Sequence, residues 1–460
     1  MLLTLGEIAS VLHAPLKKGR TVLVNSVSID SRRVQKGAVF FALKGDRFDG
    51  HEFVQEAQKK GAAAAVVEVG RRRPHDASNH TVLFRVADVL RALQDLAAYY
   101  RKKFLFPVIA VTGTNGKTTT KEMLALVLSS HYQVMKTEGN FNNHIGMALS
   151  MFSWRRNGEL AVVEMGTNHF GEIRRLCEIA RPTHGVITNI GKGHLEFLKN
   201  ETGVARAKTE LLESLAVKGL AFLNGDDVHL LPYRNTAGKT ITFGFGNGCD
   251  LVGKHPGIDR FGFPKMDVEG RTIRLSVSGR HNLYNALAAI AVGRTFGIPW
   301  KDIQETLWRF RPVDKRMDLV RIAGVVILND SYNANPSSVE QALMTLKEFS
   351  GIQRRVVVLG DMLELGRSSR TEHARLGESI AGSFFDLFFC TGNHMRIAAR
   401  AAVRAGMPHA RWFDSKAGLC EALLSDLREG DGVLVKGSRG MNMEEVIEIL
   451  KQRLEGETRE

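Results

Sequence analysis

The chain has few cysteines and no long apolar run, and each shortage excludes a class of protein. Its four cysteines stand far apart, without the spacing of a metal or redox motif, so we expect free thiols in a reducing cytoplasm. No apolar stretch approaches the roughly 20 residues that a membrane helix needs. The first residues include an early Glu7 and no basic segment, which predicts an amphipathic helix instead of a signal peptide.

Aromatic residues interleaved with basic ones, the pattern of single-strand nucleic-acid binders, are also missing. The net charge of +14 nevertheless leaves nucleic acid open as a partner. Lys and Arg are spread along the chain, with unbroken triplets only at residues 71–73 and 101–103. Because a basic surface also steers small polyanions inward, we expect anionic small-molecule substrates and no nucleic acid.

A chain of 460 residues is too long for a single core, and its strand and helix patterns divide it into three α/β domains. Residues 1–105 predict a mixed α/β domain. Residues 106–312 alternate apolar strands with helices, which predicts a parallel sheet covered by helices, with an antiparallel extension over 236–278. Residues 313–460 restart the alternation and predict a Rossmann-like, doubly wound domain.

The stretch PVIAVTGTNGKTTTKEM at 107–123 predicts a phosphate-binding loop, and hence an ATPase type of central domain. A buried strand leads into glycines that allow a tight turn, and then into a helix whose first N–H groups and dipole favour an anion. Val111 stands where such loops usually have their first glycine, so we expect Gly113 to make the turn. Lys117 is then expected to reach the terminal phosphates and Thr118 to bind Mg²⁺. A glycine-rich turn without a ligand is the alternative.

Three further residues are candidates for the metal site. Glu164 closes the apolar run AVVEMG, at the strand end where parallel sheets bind ligands, and is expected to bind Mg²⁺ unless it is simply solvated. His194 follows the next strand and is a candidate second ligand, although one histidine alone is weak evidence. Lys208 lies on a helix with an apolar stripe, where an exposed charge explains it equally well.

Two polar clusters complete the candidate site. His281 and Asn282 open a helix and could either contact an adenine edge or cap that helix. The loop NDSYNANPSS is too polar for a plain turn, and Pro336 delays the start of the helix that follows it.

Several of these motifs resemble the ATP-dependent Mur ligases of peptidoglycan synthesis. VTGTNGKTT resembles their ATP loop, EMG their magnesium glutamate and AKTE their lysine-bearing helix. TKEM, EGNFNNHIG, NDSYNANPSS, LGDMLELG and LVKGSRGMNME are similar to the branch that adds a terminal dipeptide. SIDSRRVQKGAVFFALKGDRFDGHEF is similar to the uridine-nucleotide domain, and the DNPR motif of the diamino-acid-adding branch is absent.

The resemblance implies an ATP-dependent amide ligase that joins D-alanyl-D-alanine to UDP-N-acetylmuramoyl-tripeptide through an acyl phosphate, and we expect it to act as a monomer. It implies two Mg²⁺ ions, one held by Thr118 and Glu164, the other by His194 and a carbamylated Lys208. Lys117, Lys208, His194 and Arg316 are the implied catalytic residues, and Arg316 is expected to swing onto the γ-phosphate. The residues implied in ATP binding are Gly113, Thr114, Asn115, Gly116, Lys117, Thr118, Thr119, His281, Asn282, Arg316 and Asp330.

The residues implied in binding the other two substrates are Ser28, Asp30, Ser31, Arg32, Asn140, Asn142, Asn143, Tyr332, Asn333 and Asn335. Three alternatives remain open at this stage. They are the amino-acid-adding Mur ligase that acts on UDP-muramoyl-dipeptide, a folate–glutamate ligase and, from a different class, a nucleic-acid-dependent NTPase.

Overall fold

A computed structural model describes residues 3–45, 48–70, 81–215, 219–259, 262–312 and 315–456. The basic triplet at 71–73 lies outside these ranges. The described residues form three α/β units, which confirms the expected architecture. Within the described part of the chain, no helix combines the length and apolarity that would let it cross a bilayer.

The first unit is built on four parallel strands in the order β3-β4-β5-β6, beside a small antiparallel pair, β1 and β2. Its elements are β1 (Leu3–Thr4), α1 (Leu5–Val11), β2 (Leu23–Val24), β3 (Ser26–Ser28), β4 (Ala38–Phe41), α2 (Val54–Lys59), β5 (Ala64–Glu68), β6 (Val82–Val86) and α3 (Val89–Arg101). The predicted amino-terminal helix is present as α1. Thr4 and Glu7 fix its start, because each side chain accepts the other's backbone N–H.

The central unit contains a nine-stranded sheet in the order β15-β14-β13-β12-β11-β10-β7-β9-β8. Its elements are β7 (Val108–Thr112), α4 (Lys117–Leu128), β8 (Val134–Lys136), α5 (Gly146–Phe152), β9 (Leu160–Glu164), α6 (Glu172–Ala180), β10 (His184–Ile187), α7 (Leu195–Leu198), α8 (Glu201–Glu213), β11 (Leu220–Asn224), β12 (Lys239–Gly244), β13 (Leu251–Ile258), β14 (Pro264–Val268), β15 (Arg271–Arg274), α9 (His281–Thr295) and α10 (Trp300–Arg309). Strand β7 lies between β9 and β10, so the loops after these three strands meet at one edge.

The expected antiparallel extension of this sheet is shorter than predicted. Strands β12 and β13 continue the parallel order, and only β14 and β15 are antiparallel. Because β11 and β12 are parallel, their connection returns the chain to the end of the sheet at which β11 begins. The glycine-rich sequence of this region does not indicate such a parallel pairing.

The third unit has a six-stranded sheet in the order β16-β17-β21-β18-β19-β20, parallel except for β16. Its elements are β16 (Asp318–Ile322), β17 (Val325–Asp330), α11 (Pro336–Glu348), β18 (Arg354–Gly360), α12 (Ser369–Ala381), β19 (Leu387–Thr391), α13 (Met395–Arg404), β20 (Ala410–Phe413), α14 (Lys416–Asp426), β21 (Asp431–Lys436) and α15 (Glu444–Gly456). Because β17 and β21 pair in register, Asp330 and Lys436 stand side by side at their carboxyl ends.

A buried arginine joins the first and central units. Arg101 donates hydrogen bonds to the carbonyl oxygens of Ala180 (2.8 Å), Phe104 and Phe106 (3.1 Å). Its guanidinium also lies over the Trp154 ring, 5.7 Å from the ring centroid. Burial lowers the pKa of Arg101 to about 10, and each of its three side-chain nitrogens donates to a backbone oxygen.

The central and third units meet through polar contacts. Lys192 pairs with Glu372 at 2.9 Å, and the Asn335 amide donates to Oδ1 of Asn115 at 2.9 Å. This junction brings the loops of the third unit over the phosphate-binding loop.

Candidate active site

The loop between β7 and α4 has the shape of a phosphate cradle. Gly113 and Gly116 have φ angles of +147° and +79°, which disfavour any residue with a Cβ. A Cβ on Gly113 would lie 1.9 Å from the Thr188 hydroxyl oxygen, and one on Gly116 would lie 2.4 Å from Oδ1 of Asn285. Val111 occupies the position where such loops usually have their first glycine. Gly113 therefore makes the turn instead.

Hydrogen bonds to the neighbouring strand end hold this loop. The backbone N–H of Thr114 donates to the Asn189 carbonyl at 2.9 Å, and that of Asn115 donates to the Asn189 side chain at 3.0 Å. The Thr114 hydroxyl accepts from the N–H of Gly191 at 2.9 Å. The loop is thus fixed before any ligand arrives.

Lys117 lies at the first turn of α4 and folds back over the loop. Its ammonium donates to the carbonyl oxygens of Gly113 (3.0 Å) and Thr114 (3.1 Å). Burial lowers the pKa of Lys117, Glu164 opposes that shift and the charge of Arg316 adds to it. A phosphate would replace both carbonyls as the acceptor.

Glu164 and Thr118 fit a hard divalent cation. Oε1 of Glu164 accepts from the Asn142 amide at 2.8 Å, whereas the buried Oε2 has no hydrogen-bond partner. Thr118 is buried on the first turn of α4, and both residues line the same cleft. The described residues contain no group of three or more His, Cys, Asp or Glu side chains placed to hold a metal ion. An orphaned carboxylate oxygen is a ligand that Mg²⁺ accepts.

Lys208 is buried instead of exposed, with 1% of its surface accessible, and it is not among the residues that line the cleft. Burial and the charge of Lys117 lower its pKa well below the usual value. Within the described ranges, no carboxylate forms an ion pair with it. Glu210, two residues on, accepts the N–H groups of Gly171 and Arg174 and so holds the start of α6, a role that the sequence did not indicate.

His194 lines the cleft at the start of α7, with a left-handed backbone at φ +54°. Its Nδ1 lies 2.6 Å from Oε2 of Glu364 in the third unit. Nδ1 is buried and has no well-aligned hydrogen-bond partner, although it lies this close to the carboxylate. The sequence did not single out Glu364, which is 170 residues away.

The third unit contributes a cationic wall. The Arg316 guanidinium stacks on Tyr332, 3.8 Å from the ring centroid, and its buried Nε has no hydrogen-bond partner. Lys436 donates to the Asp330 carboxylate and, at 2.8 Å, to the Asn333 carbonyl. Lys436 is a site residue that sequence patterns missed, because only the pairing of β17 with β21 brings it to Asp330.

The polar side chain of Asn282, at the start of α9, forms hydrogen bonds within the protein. The Asn282 amide donates to the Ser278 carbonyl at 2.7 Å and accepts from Asn285 at 2.8 Å. These bonds engage both ends of the Asn282 amide, but no side chain caps the first N–H groups of α9, so Asn282 does not act as the helix cap. Burial lowers the pKa of His281 to about 4, so its ring is neutral at neutral pH.

One cleft of about 400 Å³ collects most of the candidate residues. Those lining it are Thr114, Asn115, Gly116, Lys117, Thr118, Thr119, Asn142, Asn143, Glu164, His194, His281, Asn282, Arg316, Asp330, Tyr332, Asn333 and Asn335. The candidates that do not line it are Gly113, Asn140, Lys208, Ser28, Asp30, Ser31 and Arg32. The last four belong to the first unit, where the exposed Arg32 pairs with Asp30 at 2.9 Å and Ser31 donates to Glu56 at 2.8 Å.

Comparison with known proteins agrees with this architecture. Three domain descriptions match in turn: a Mur ligase family catalytic domain over residues 23–101, a Mur ligase middle domain over 111–293 and a Mur ligase glutamate ligase domain over 315–439. The chain is 37% identical to the UDP-N-acetylmuramoyl-tripeptide–D-alanyl-D-alanine ligase of Bacillus subtilis, over 93% of each chain.

Solved structures agree over all three units. A crystal structure of MurF from Acinetobacter baumannii superposes with a TM-score of 0.89 and 30% identity, covering 98% of this chain and 99% of that one. The MurF ligase of Thermotoga maritima, solved in complex with ADP, has a TM-score of 0.83 and 30% identity, with 94% and 99% covered. The chain therefore belongs to the Mur ligase family.

Proposed function

We propose that the chain is an ATP-dependent ligase that joins D-alanyl-D-alanine to UDP-N-acetylmuramoyl-tripeptide, forming an amide, ADP and phosphate for peptidoglycan precursor synthesis. One observation carries the proposal: a phosphate loop, an unpartnered Glu164 oxygen and an unpartnered Arg316 donor converge on one cleft. The names of the relatives support the choice of substrates.

The chemistry suits a site built from charge and position. A carboxylate resists attack by an amine because oxide is a poor leaving group. If a carboxylate oxygen of the tripeptide attacks the γ-phosphorus, the bond to ADP breaks and an acyl phosphate forms. The dipeptide's neutral amine then attacks the carbonyl carbon, phosphate leaves with the bonding electrons, and the nitrogen loses a proton. The protein has to align these groups and offset their negative charge.

Lys117 and Arg316 would supply this charge from opposite walls of the cleft. Lys117 would exchange its two loop carbonyls for phosphate oxygens. Arg316, held flat by Tyr332, has an unused Nε donor, so it would bind the γ-phosphate without first breaking a protein hydrogen bond. Asp330 and the loop residues from Gly113 to Thr119 would contact the rest of the nucleotide, with His281 and Asn282 beside it.

Two Mg²⁺ ions fit the donors that remain. Thr118 and Glu164 would hold one ion, and His194 with a carbamylated Lys208 the other. Bound magnesium would neutralise charge on the phosphates. Carbamylation joins the neutral Lys208 amine to CO₂, releases a proton and replaces a cation with an anionic oxygen ligand. The burial of Lys208, with no carboxylate partner in the described ranges, favours this modification.

The other two substrates would lie on either side of the nucleotide. We assign the uridine end to Ser28, Asp30, Ser31 and Arg32 of the first unit. The peptide end would contact the loop of Asn140, Asn142 and Asn143, and the acceptor dipeptide would contact Tyr332, Asn333 and Asn335. The protein would act as a cytoplasmic monomer on these small molecules, without nucleic acid.

Phosphate release with a panel of amines tests the proposal. With UDP-muramoyl-tripeptide and ATP, D-alanyl-D-alanine should exceed meso-diaminopimelate, L-lysine and D-alanine by about 10⁴-fold, since a site that pairs a peptide group rejects amines lacking one. Faster release with a free diamino acid and UDP-muramoyl-dipeptide would assign the neighbouring Mur reaction. ATP hydrolysis that depends on DNA or RNA would reject a ligase altogether.

A further inference from the structure

The loop at residues 189–196, here the contact loop, is held by the phosphate loop on one side and by the third unit on the other. A Cβ on Gly193 would lie 2.9 Å from Thr114, and one on Gly191 would lie 2.9 Å from the Ser337 hydroxyl. Lys192 pairs with Glu372 from α12. The contact loop therefore touches both the phosphate loop and the third unit.

Glu364 reaches His194 because its backbone is fixed against the same loop. The carbonyl of Glu364 accepts the N–H of Glu196 at 3.1 Å. A Cβ on Gly366 would lie 3.0 Å from Cα of Glu196, so the two chains touch at the backbone. Glu364 has a left-handed φ of +60° and His194 one of +54°, and such strain persists only where the surroundings enforce it. The 2.6 Å approach of the side chains is thus imposed by the fold.

We propose that Glu364 is a positioning residue, supplied by the third unit, that orients His194 for the metal; this rests on the function proposed above. A metal-binding histidine usually donates its second ring N–H to a carboxylate, which fixes the tautomer and the ring. With Nδ1–H directed at Glu364, the lone pair of Nε2 is free for the ion. The 2.6 Å separation already keeps the two groups within hydrogen-bond reach, and such hydrogen bonds tighten when ligands bind.

The arrangement couples metal binding to domain docking. Only the docked third unit brings Glu364 to His194, so docking raises the affinity of that ion, and by linkage the ion favours docking. Glu372 offers a matched control, because it joins the same two units through Lys192 without touching His194.

Mn²⁺ binding, followed by electron paramagnetic resonance with a non-hydrolysable ATP analogue and UDP-muramoyl-tripeptide, tests the proposal without turnover. Glu364→Ala should lower the binding affinity for one of the two Mn²⁺ ions by about 10- to 100-fold. Glu364→Gln should restore most of the affinity, since its amide oxygen still accepts the Nδ1 hydrogen. Glu372→Gln should change Mn²⁺ affinity by less than about threefold and leave the radius of gyration unchanged, since Glu364 and the rest of the docked junction stay in place.

Two results would overturn the idea: Mn²⁺ binding by Glu364→Ala within twofold of the unchanged protein, or an equal loss in Glu364→Gln. Glu364 is partly exposed and both variants keep its backbone, so misfolding is a small risk, and circular dichroism checks it. The assay measures metal binding, so a result that overturns this inference does not affect the proposed ligase function. The proposed function would be refuted by a different result, namely a lack of activity with D-alanyl-D-alanine in the protein without substitutions.

Discussion

Replacing Lys117 by Ala should abolish most turnover and leave the fold intact. The fold survives because other contacts hold the phosphate loop, above all those of Thr114 and Asn115 with Asn189. The ammonium adds two hydrogen bonds to loop carbonyls, each of which contributes about 1 kcal/mol net. A loss of about 2 kcal/mol is tolerable for most folded proteins.

The loss of rate follows from the charge. A cation about 4 Å from a phosphate oxygen, at an effective dielectric constant of about 20, contributes about 4 kcal/mol. That energy corresponds to about 10³-fold in rate. Repulsion from Arg316 opposes Lys117 in the unchanged protein, and its removal returns part of the energy. We therefore expect kcat/KM to fall by about 10²- to 10³-fold.

Phosphate release with all three substrates measures the effect, and circular dichroism verifies the fold. Lys136→Ala is the matched control, because this lysine is partly exposed in the same unit and pairs with Glu122 instead of facing the cleft. A Lys117→Ala variant within threefold of the unchanged protein, with an unaltered spectrum, would show that the loop does not bind the reacting phosphates.

Three further predictions concern the rest of the molecule. Lys208→Ala should be nearly inactive yet partly rescued by formate or acetate, which can place an anion in the vacated space; full activity without rescue would contradict the carbamate. Small-angle scattering should show a smaller radius of gyration when a non-hydrolysable ATP analogue and UDP-muramoyl-tripeptide are added, since Arg316 and Asp330 of the third unit would then be drawn to the nucleotide. An unchanged radius would argue against closure. Asp361→Ala should lower the free energy of unfolding by about 1–2 kcal/mol in urea titrations, because this carboxylate caps α13 by accepting the N–H groups of His394 (3.1 Å) and Met395 (2.7 Å); an unaltered midpoint would exclude that role.

Sequence patterns predicted the local parts of the site and missed those that depend on strand pairing. The phosphate loop was readable because strand, glycines and helix are contiguous. The roles of Lys436 and Glu364 could not be predicted from the sequence. Lys436 reaches Asp330 only because β17 pairs with β21, and Glu364 reaches His194 only because the third unit docks on the central unit. The patterns offered no signal for a partner more than 100 residues away.

Burial was the second quantity that the sequence left undecided. Lys208 was as well explained by an exposed helix face, yet α8 packs so that its side chain is enclosed. For Asn282 the sequence left two alternatives, contact with adenine or capping of the helix. In the structure its side-chain amide forms hydrogen bonds with Ser278 and Asn285. Both outcomes depend on which elements cover the helix, which periodicity alone does not specify.

The two junctions of the molecule should respond differently to dissolved ions. Arg101 binds neutral carbonyl oxygens in a buried pocket, where mobile ions do not reach, so the first and central units should stay joined at high ionic strength. Lys192 and Glu372 face each other across a partly accessible surface, and at 1 M salt the Debye length shrinks to about 3 Å. Added salt should therefore weaken the junction between the central and third units and leave the junction between the first and central units intact. The ionic strength of the surroundings would then shift the equilibrium between the open and closed positions of the third unit.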